Sequence, residues 1–167
     1  MIERCKGLGG TIMRKTTGAA LAIGLLAVTA ASPGHADTSR ATLERFGFLG
    51  NWAQDCTQPA ARDNVWRQTA IDGGDVVFTE SLGGDFVPSS YRVLSARVKA
   101  ADTIVLSIKL NNRDRQELTM VLRDNRIRTM TNRPRGARTP IVDDGIIVGT
   151  SMATPWLTRC GKQLLQG

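Results

Sequence analysis

Apolar and polar residues alternate most regularly between Thr103 and Leu110. Ile104, Leu106, Ile108 and Leu110 interleave there with Thr103, Val105, Ser107 and Lys109. A period of two puts one set on each face of a β-strand, one face buried and the other wet. Residues 115–123 repeat the pattern, with Leu118, Met120 and Leu122 opposed to Glu117, Thr119 and Arg123. Shorter runs of the same kind cover 50–55, 64–71 with Trp66, 76–82 with Phe78, 89–98 with Tyr91, 127–132 and 146–151. Turn-forming stretches separate them: Asp72-Gly73-Gly74-Asp75, Gly83-Gly84-Asp85, residues 99–102, residues 111–114, Asp124-Asn125 and Asp143-Asp144-Gly145. Gly, Asn and Asp accept the positive φ that tight hairpins require.

A helical period appears only before the strands, where Leu43, Phe46 and Leu49 share a face behind a cap at Thr38 or Ser39. Near the end, Thr154-Pro155-Trp156-Leu157 has the form of a capped helical turn with proline at its first position. Strand signals spaced roughly 8–12 residues apart predict an all-β sandwich or barrel. About eight strands suit a small up-and-down antiparallel barrel, which leaves no free edge.

The first residues carry an address. Arg14 and Lys15 precede an apolar run from Gly18 to Ala31, and Ser32-Pro33-Gly34-His35-Ala36 supplies a breaker and small residues. The pattern predicts a secretory signal peptide over 1–36, cleaved after Ala36, with Met13 an alternative start. The run is short for a membrane span, and no second one follows. The mature domain would then be 37–167, periplasmic or secreted. Its formal charge falls from +7 to +4, because Arg4, Lys6, Arg14, Lys15 and Glu3 leave with the signal.

Export changes how the cysteines are read. Cys5 is discarded, which leaves Cys56 and Cys160 as an even pair in an oxidising compartment and predicts one disulfide. An immunoglobulin-like sandwich would hold its cysteines closer together, with a tryptophan between them.

The lone histidine, His35, also leaves. Its loss excludes Ser-His-Asp and Cys-His catalysis, histidine zinc sites and histidine haem ligation. Asp143-Asp144 and the Asp72, Asp75 pair sit beside glycines and read as turn residues, not as the facing carboxylates of a hydrolase. Their spacing is not that of a calcium loop. We therefore expect no catalysis, cofactor or metal.

Gly50-Asn51-Trp52, opening the first strand behind a helical segment, resembles the Gly-x-Trp signature of lipocalin-like (calycin) barrels. The resemblance implies a barrel whose closed end is plugged by Trp52, with Arg128 or Arg159 over the indole face. It also implies a small apolar or amphipathic ligand. Trp66, Phe78, Tyr91, Leu106, Ile108, Leu118 and Met120 are the candidate cavity lining, although such side chains also fill small barrels outright. A weaker resemblance is to periplasmic barrel-type inhibitors of bacterial metalloproteases, whose N-terminal segment enters the protease cleft. The matching segment would be Asp37–Thr42, but the cysteine spacing departs from that group.

Arginines gather late in the chain. Arg113, Arg115, Arg126, Arg128, Arg133 and Arg135 form a candidate face for an anionic envelope component or a protein partner. A solvated outer face is the more ordinary account of them. No aromatic residue interrupts the stretch from Arg113 to Arg138, so a nucleic-acid surface is not expected. Two functions follow: an exported, non-enzymatic carrier of a small molecule, or an envelope interaction protein or inhibitor. The sequence leaves the oligomeric state open.

Overall fold

A computed structural model describes residues 35–110 and 114–161 of the chain. Apart from His35 and Ala36, the expected signal segment lies outside the described residues, as does Arg113.

The helix α1 (His35–Phe46) comes first. It begins before Thr38 and Ser39, so neither is its cap. Thr42 instead donates its hydroxyl to Thr38 O at 2.8 Å, and Ser39, Thr42 and Leu43 are buried. Gly47, at φ 74°, ends the helix. Phe48 N donates to Leu43 O and Gly47 N to Glu44 O, the paired bonds of a Schellman ending. That ending turns Phe48 into the core beside Leu43.

The strands are β1 (Gly50–Ala53), β2 (Trp66–Asp72), β3 (Asp75–Ser81), β4 (Ser89–Ala100), β5 (Thr103–Leu110), β6 (Asp114–Arg123), β7 (Arg126–Pro134), β8 (Val142–Asp143), β9 (Ile146–Ile147) and β10 (Leu157–Cys160). Each neighbour pair is antiparallel, from β1 through β7. β10 pairs with β1 through Cys160–Asn51, Arg159–Trp52 and Thr158–Ala53. It also pairs with β7 through Leu157–Ile127 and Thr158–Arg126. Eight strands thus close into an up-and-down barrel, as the alternation predicts. Register shifts at Val93/Ser95, Val98/Ala100 and Thr119/Met120 bend β4 and the β6–β7 pair. Bulges of this kind supply the coiling that closure requires.

The predicted helical turn at Thr154–Leu157 is not formed; the chain is extended there and becomes β10. The Thr154 hydroxyl, which would have capped, donates to Thr129 O at 2.7 Å. The expected strand at 146–151 shrinks to Ile146–Ile147, because Thr150 N closes a turn onto Ile147 O. β8 and β9 form a small flap against the later part of β7, held by Asn132–Val142 pairing and by Gly145 N on Met130 O.

The core occupies the end that α1 covers. Leu43, Phe48, Trp52, Ile104, Met120, Ile127 and Leu157 are almost fully buried there. Outside the wall, residues 54–64 fold over β1 and β2. Asn64 organises this loop: its amide donates to Asp55 O, Gln58 O and Pro59 O and accepts from Asp55 N. Gly83, at φ 65°, lies so close to this loop that a Cβ would fall 1.7 Å from Ala60 O. Cys56 and Cys160 are bonded, with Cα atoms 5.4 Å apart and a sequence separation of 104. Among the described residues, no helix is long and apolar enough to cross a membrane.

Candidate functional site

Gly50 and Trp52 lie at the covered end of the barrel. Trp52 is fully buried and donates its indole N–H to Phe48 O at 3.1 Å. Of the two basic residues that the lipocalin resemblance offered, Arg159 takes the position over Trp52, 4.4 Å from the ring centre. Its guanidinium also donates to Leu49 O and Gly47 O. One side chain on the last strand therefore ties down the indole and the chain between α1 and β1. Arg128 is used elsewhere: it donates to Gly145 O and Thr154 Oγ1 and lies 5.8 Å from the Trp156 ring centre.

Toward the other end, apolar packing gives way to a pocket of about 270 Å³. Phe78, Tyr91, Ile108 and Leu118, four of the seven expected cavity residues, line it. Leu106 and Met120 are buried in the packed part of the barrel and do not reach it. Trp66 is a correction. It lies outside the wall with Ala53 and Cys160, next to the disulfide, and donates to Gln58 O at 3.1 Å. Because the strand period is two, Trp66 facing outward places its neighbour Arg67 inside.

Arg67 is the polar centre of the interior. It pairs in register with Trp52 on one side and Glu80 on the other. Its Nη2 and Nε both donate to Glu80 Oε2, at 2.5 and 3.1 Å. Its Nη1 reaches across the barrel to Thr129 Oγ1 at 3.3 Å, and the guanidinium lies over the Phe78 ring at 4.8 Å. The Tyr91 phenol is pushed above its ordinary pKa, first by burial and then by the charge of Glu80. Gln116, Asn132 and Thr154 add neutral polar groups, and Val142 and Ile147 of the flap close the wall beside β7. Asn132 Oδ1 is buried and has no hydrogen-bond partner among the described residues.

Arg67 and Glu80 did not stand out from the sequence, yet a signal for them exists. The Asp72–Asp75 hairpin fixes the β2–β3 register, and five steps back along each strand lead to Arg67 opposite Glu80. The place of the flap in the pocket wall carried no signal, since its pairing with β7 spans an irregular loop.

The arginine-rich face divides. Arg126 lies over Trp156 at 5.4 Å, and Arg133 donates to Arg138 O at 3.4 Å. Arg115 belongs to a different group. Arg92, Lys109 and Arg115 are direct cross-strand neighbours on the outer face of β4, β5 and β6. Arg135 joins them through its backbone N–H on Arg115 O. Arg92 has a nearby counter-charge, Asp75, at 3.2 Å. The segment expected to act as an inhibitory arm is part of α1, with Ser39 and Thr42 packed inward.

No protein-family model, curated protein or solved structure matches the chain, so function has to be argued from the pocket and the outer face themselves.

Proposed function

We propose that the protein is an exported, non-enzymatic, lipocalin-like barrel that holds a small amphipathic molecule at its open end. The observation that carries this reading is the pocket: Phe78, Ile108 and Leu118 supply apolar walls, and Arg67, Glu80 and Tyr91 supply polar groups beside them. The volume is just below the ~300 Å³ at which small-molecule sites usually begin, which favours a short ligand. The plug of Trp52 and Arg159 supports the lipocalin-like character of the closed end.

Native mass spectrometry of gently purified protein tests the reading. Wild type is expected to retain a small molecule, and Ile108→Trp, which fills the pocket, to lose it while remaining folded. A clean apo mass for wild type, with no uptake of added short-chain amphiphiles, would refute it.

A second reading is favoured by the cationic row. Like charges directly opposite one another destabilise a sheet, so three in register invite an anionic envelope partner. Under this reading the protein binds anionic vesicles, less so as salt rises, and Lys109→Glu weakens binding. Equal binding by the variant would remove it.

A further inference from the structure

The chemistry of the pocket lining says more than its volume, on the premise that the pocket binds a ligand. Among the described residues that line it, only Arg67 and Glu80 carry charge. They neutralise each other through two hydrogen bonds to one carboxylate oxygen, and their side chains are 13 % and 29 % exposed. The guanidinium is engaged further, by Thr129 Oγ1 at one edge and by the Phe78 ring across its face. Tyr91 adds a neutral phenol, and Gln116, Thr129, Asn132 and Thr154 add uncharged dipoles. The Glu80 carboxylate, engaged by Arg67 through Oε2, can only accept.

We propose that this pocket selects a neutral amphiphile bearing a hydrogen-bond donor, an alcohol or a primary amide, over the carboxylate of the same chain length. A hydroxyl or amide N–H can donate to the Glu80 carboxylate, which lines the pocket and is engaged by Arg67 through Oε2. A carboxylate has no proton to give and would bring its charge toward Glu80. It would also leave water without a free cation to receive it, since Arg67 is already paired. Inside a barrel such repulsion is weakly screened, so the discrimination should be large. Glu80 is then the residue that sets specificity, by keeping Arg67 from acting as an anion receptor.

The experiment compares octan-1-ol, octanamide and octanoate by titration calorimetry at pH 8, where the acid is ionised. Wild type is expected to bind the alcohol and the amide at least about tenfold more tightly than octanoate. Glu80→Gln releases the Arg67 guanidinium for a carboxylate. That variant should raise octanoate affinity about tenfold or more and change octan-1-ol affinity by less than about threefold. Octanoate binding wild type as tightly as the alcohol, or a ratio unchanged in Glu80→Gln, overturns the proposal and leaves ligand binding itself standing. Failure of all three probes to bind wild type overturns both. Should Glu80→Gln not fold, the wild-type comparison decides alone.

Discussion

Tyr91 is the only tyrosine in the chain, so its titration reports a single position on the pocket wall. Burial and the Glu80 carboxylate both disfavour the phenolate, while a Ser89 hydrogen bond and Arg67 act the other way more weakly. The folded pKa therefore lies above the ordinary value near 10. The unfolded chain loses this proton first, so the fold keeps the associated stability below pH 10 and loses it as pH rises through the raised folded value. Phenolate absorbance followed against pH should give a midpoint above that of the urea-unfolded chain. Glu80→Gln should move it back toward the ordinary value. A wild-type midpoint equal to the unfolded one would mean that the ring is solvated and does not line a pocket. Asp102 shows the opposite sign: its hydrogen bonds from Arg123 and then Thr103 hold the carboxyl below the usual range. That contribution is present above the ordinary carboxylate value and is lost as pH falls below it through the lowered folded value.

At the level of elements, β5 and β6 show what a period of two makes legible. Ile104, Leu106, Ile108, Leu118 and Met120 all face inward as the alternation requires, because each strand is long enough to settle its own parity. β2 is not. Trp66-Arg67-Gln68-Thr69 offers a large apolar residue on one face and a charged one on the other, and hydrophobicity alone turns Trp66 inward. The loop 54–64 reverses that preference by covering Trp66 from outside, a contact that no local pattern encodes. The end of the chain departs from its local pattern for a related reason. Thr154-Pro155 is a helix-start signature locally, but hydrogen bonds to strands far away in sequence win. The outer row of Arg92, Lys109 and Arg115 is a cross-strand feature and follows from register, not composition. Its cost is measurable. Lys109→Glu turns two like-charge neighbour pairs into opposite ones and should stabilise the barrel by about 0.5–2 kcal/mol at low salt, less at high salt. Urea unfolding of the two proteins at both ionic strengths checks this. A destabilised variant would mean that the Lys109 stem contributes more through packing than its charge costs.

For the whole molecule, the decisive event is closure by β10. Four residues complete the ring, and only Leu157 and Thr158 pair with β7. So short a strand contributes few ladder bonds, and its partners β1 and β7 lie far from it in the chain. Two further ties act on it, Arg159 over Trp52 and the disulfide from Cys160 to Cys56. They differ in kind. Arg159 contributes in the folded state, through an indole face and two backbone carbonyls that would otherwise lack those donors. The disulfide acts chiefly on the unfolded chain by shortening a loop of 104 positions, worth about 4–5 kcal/mol in the chain-entropy treatment. Replacing both cysteines by serine should therefore lower the unfolding free energy by about 3–5 kcal/mol. It should also steepen the denaturant dependence, because the unlinked chain exposes more surface when it unfolds. Equilibrium urea curves for the wild type and the double variant measure both quantities. A loss below about 1 kcal/mol with an unchanged slope would assign closure to Arg159 and the β10 pairings alone, and the disulfide would then be a consequence of the closed barrel rather than a cause of it.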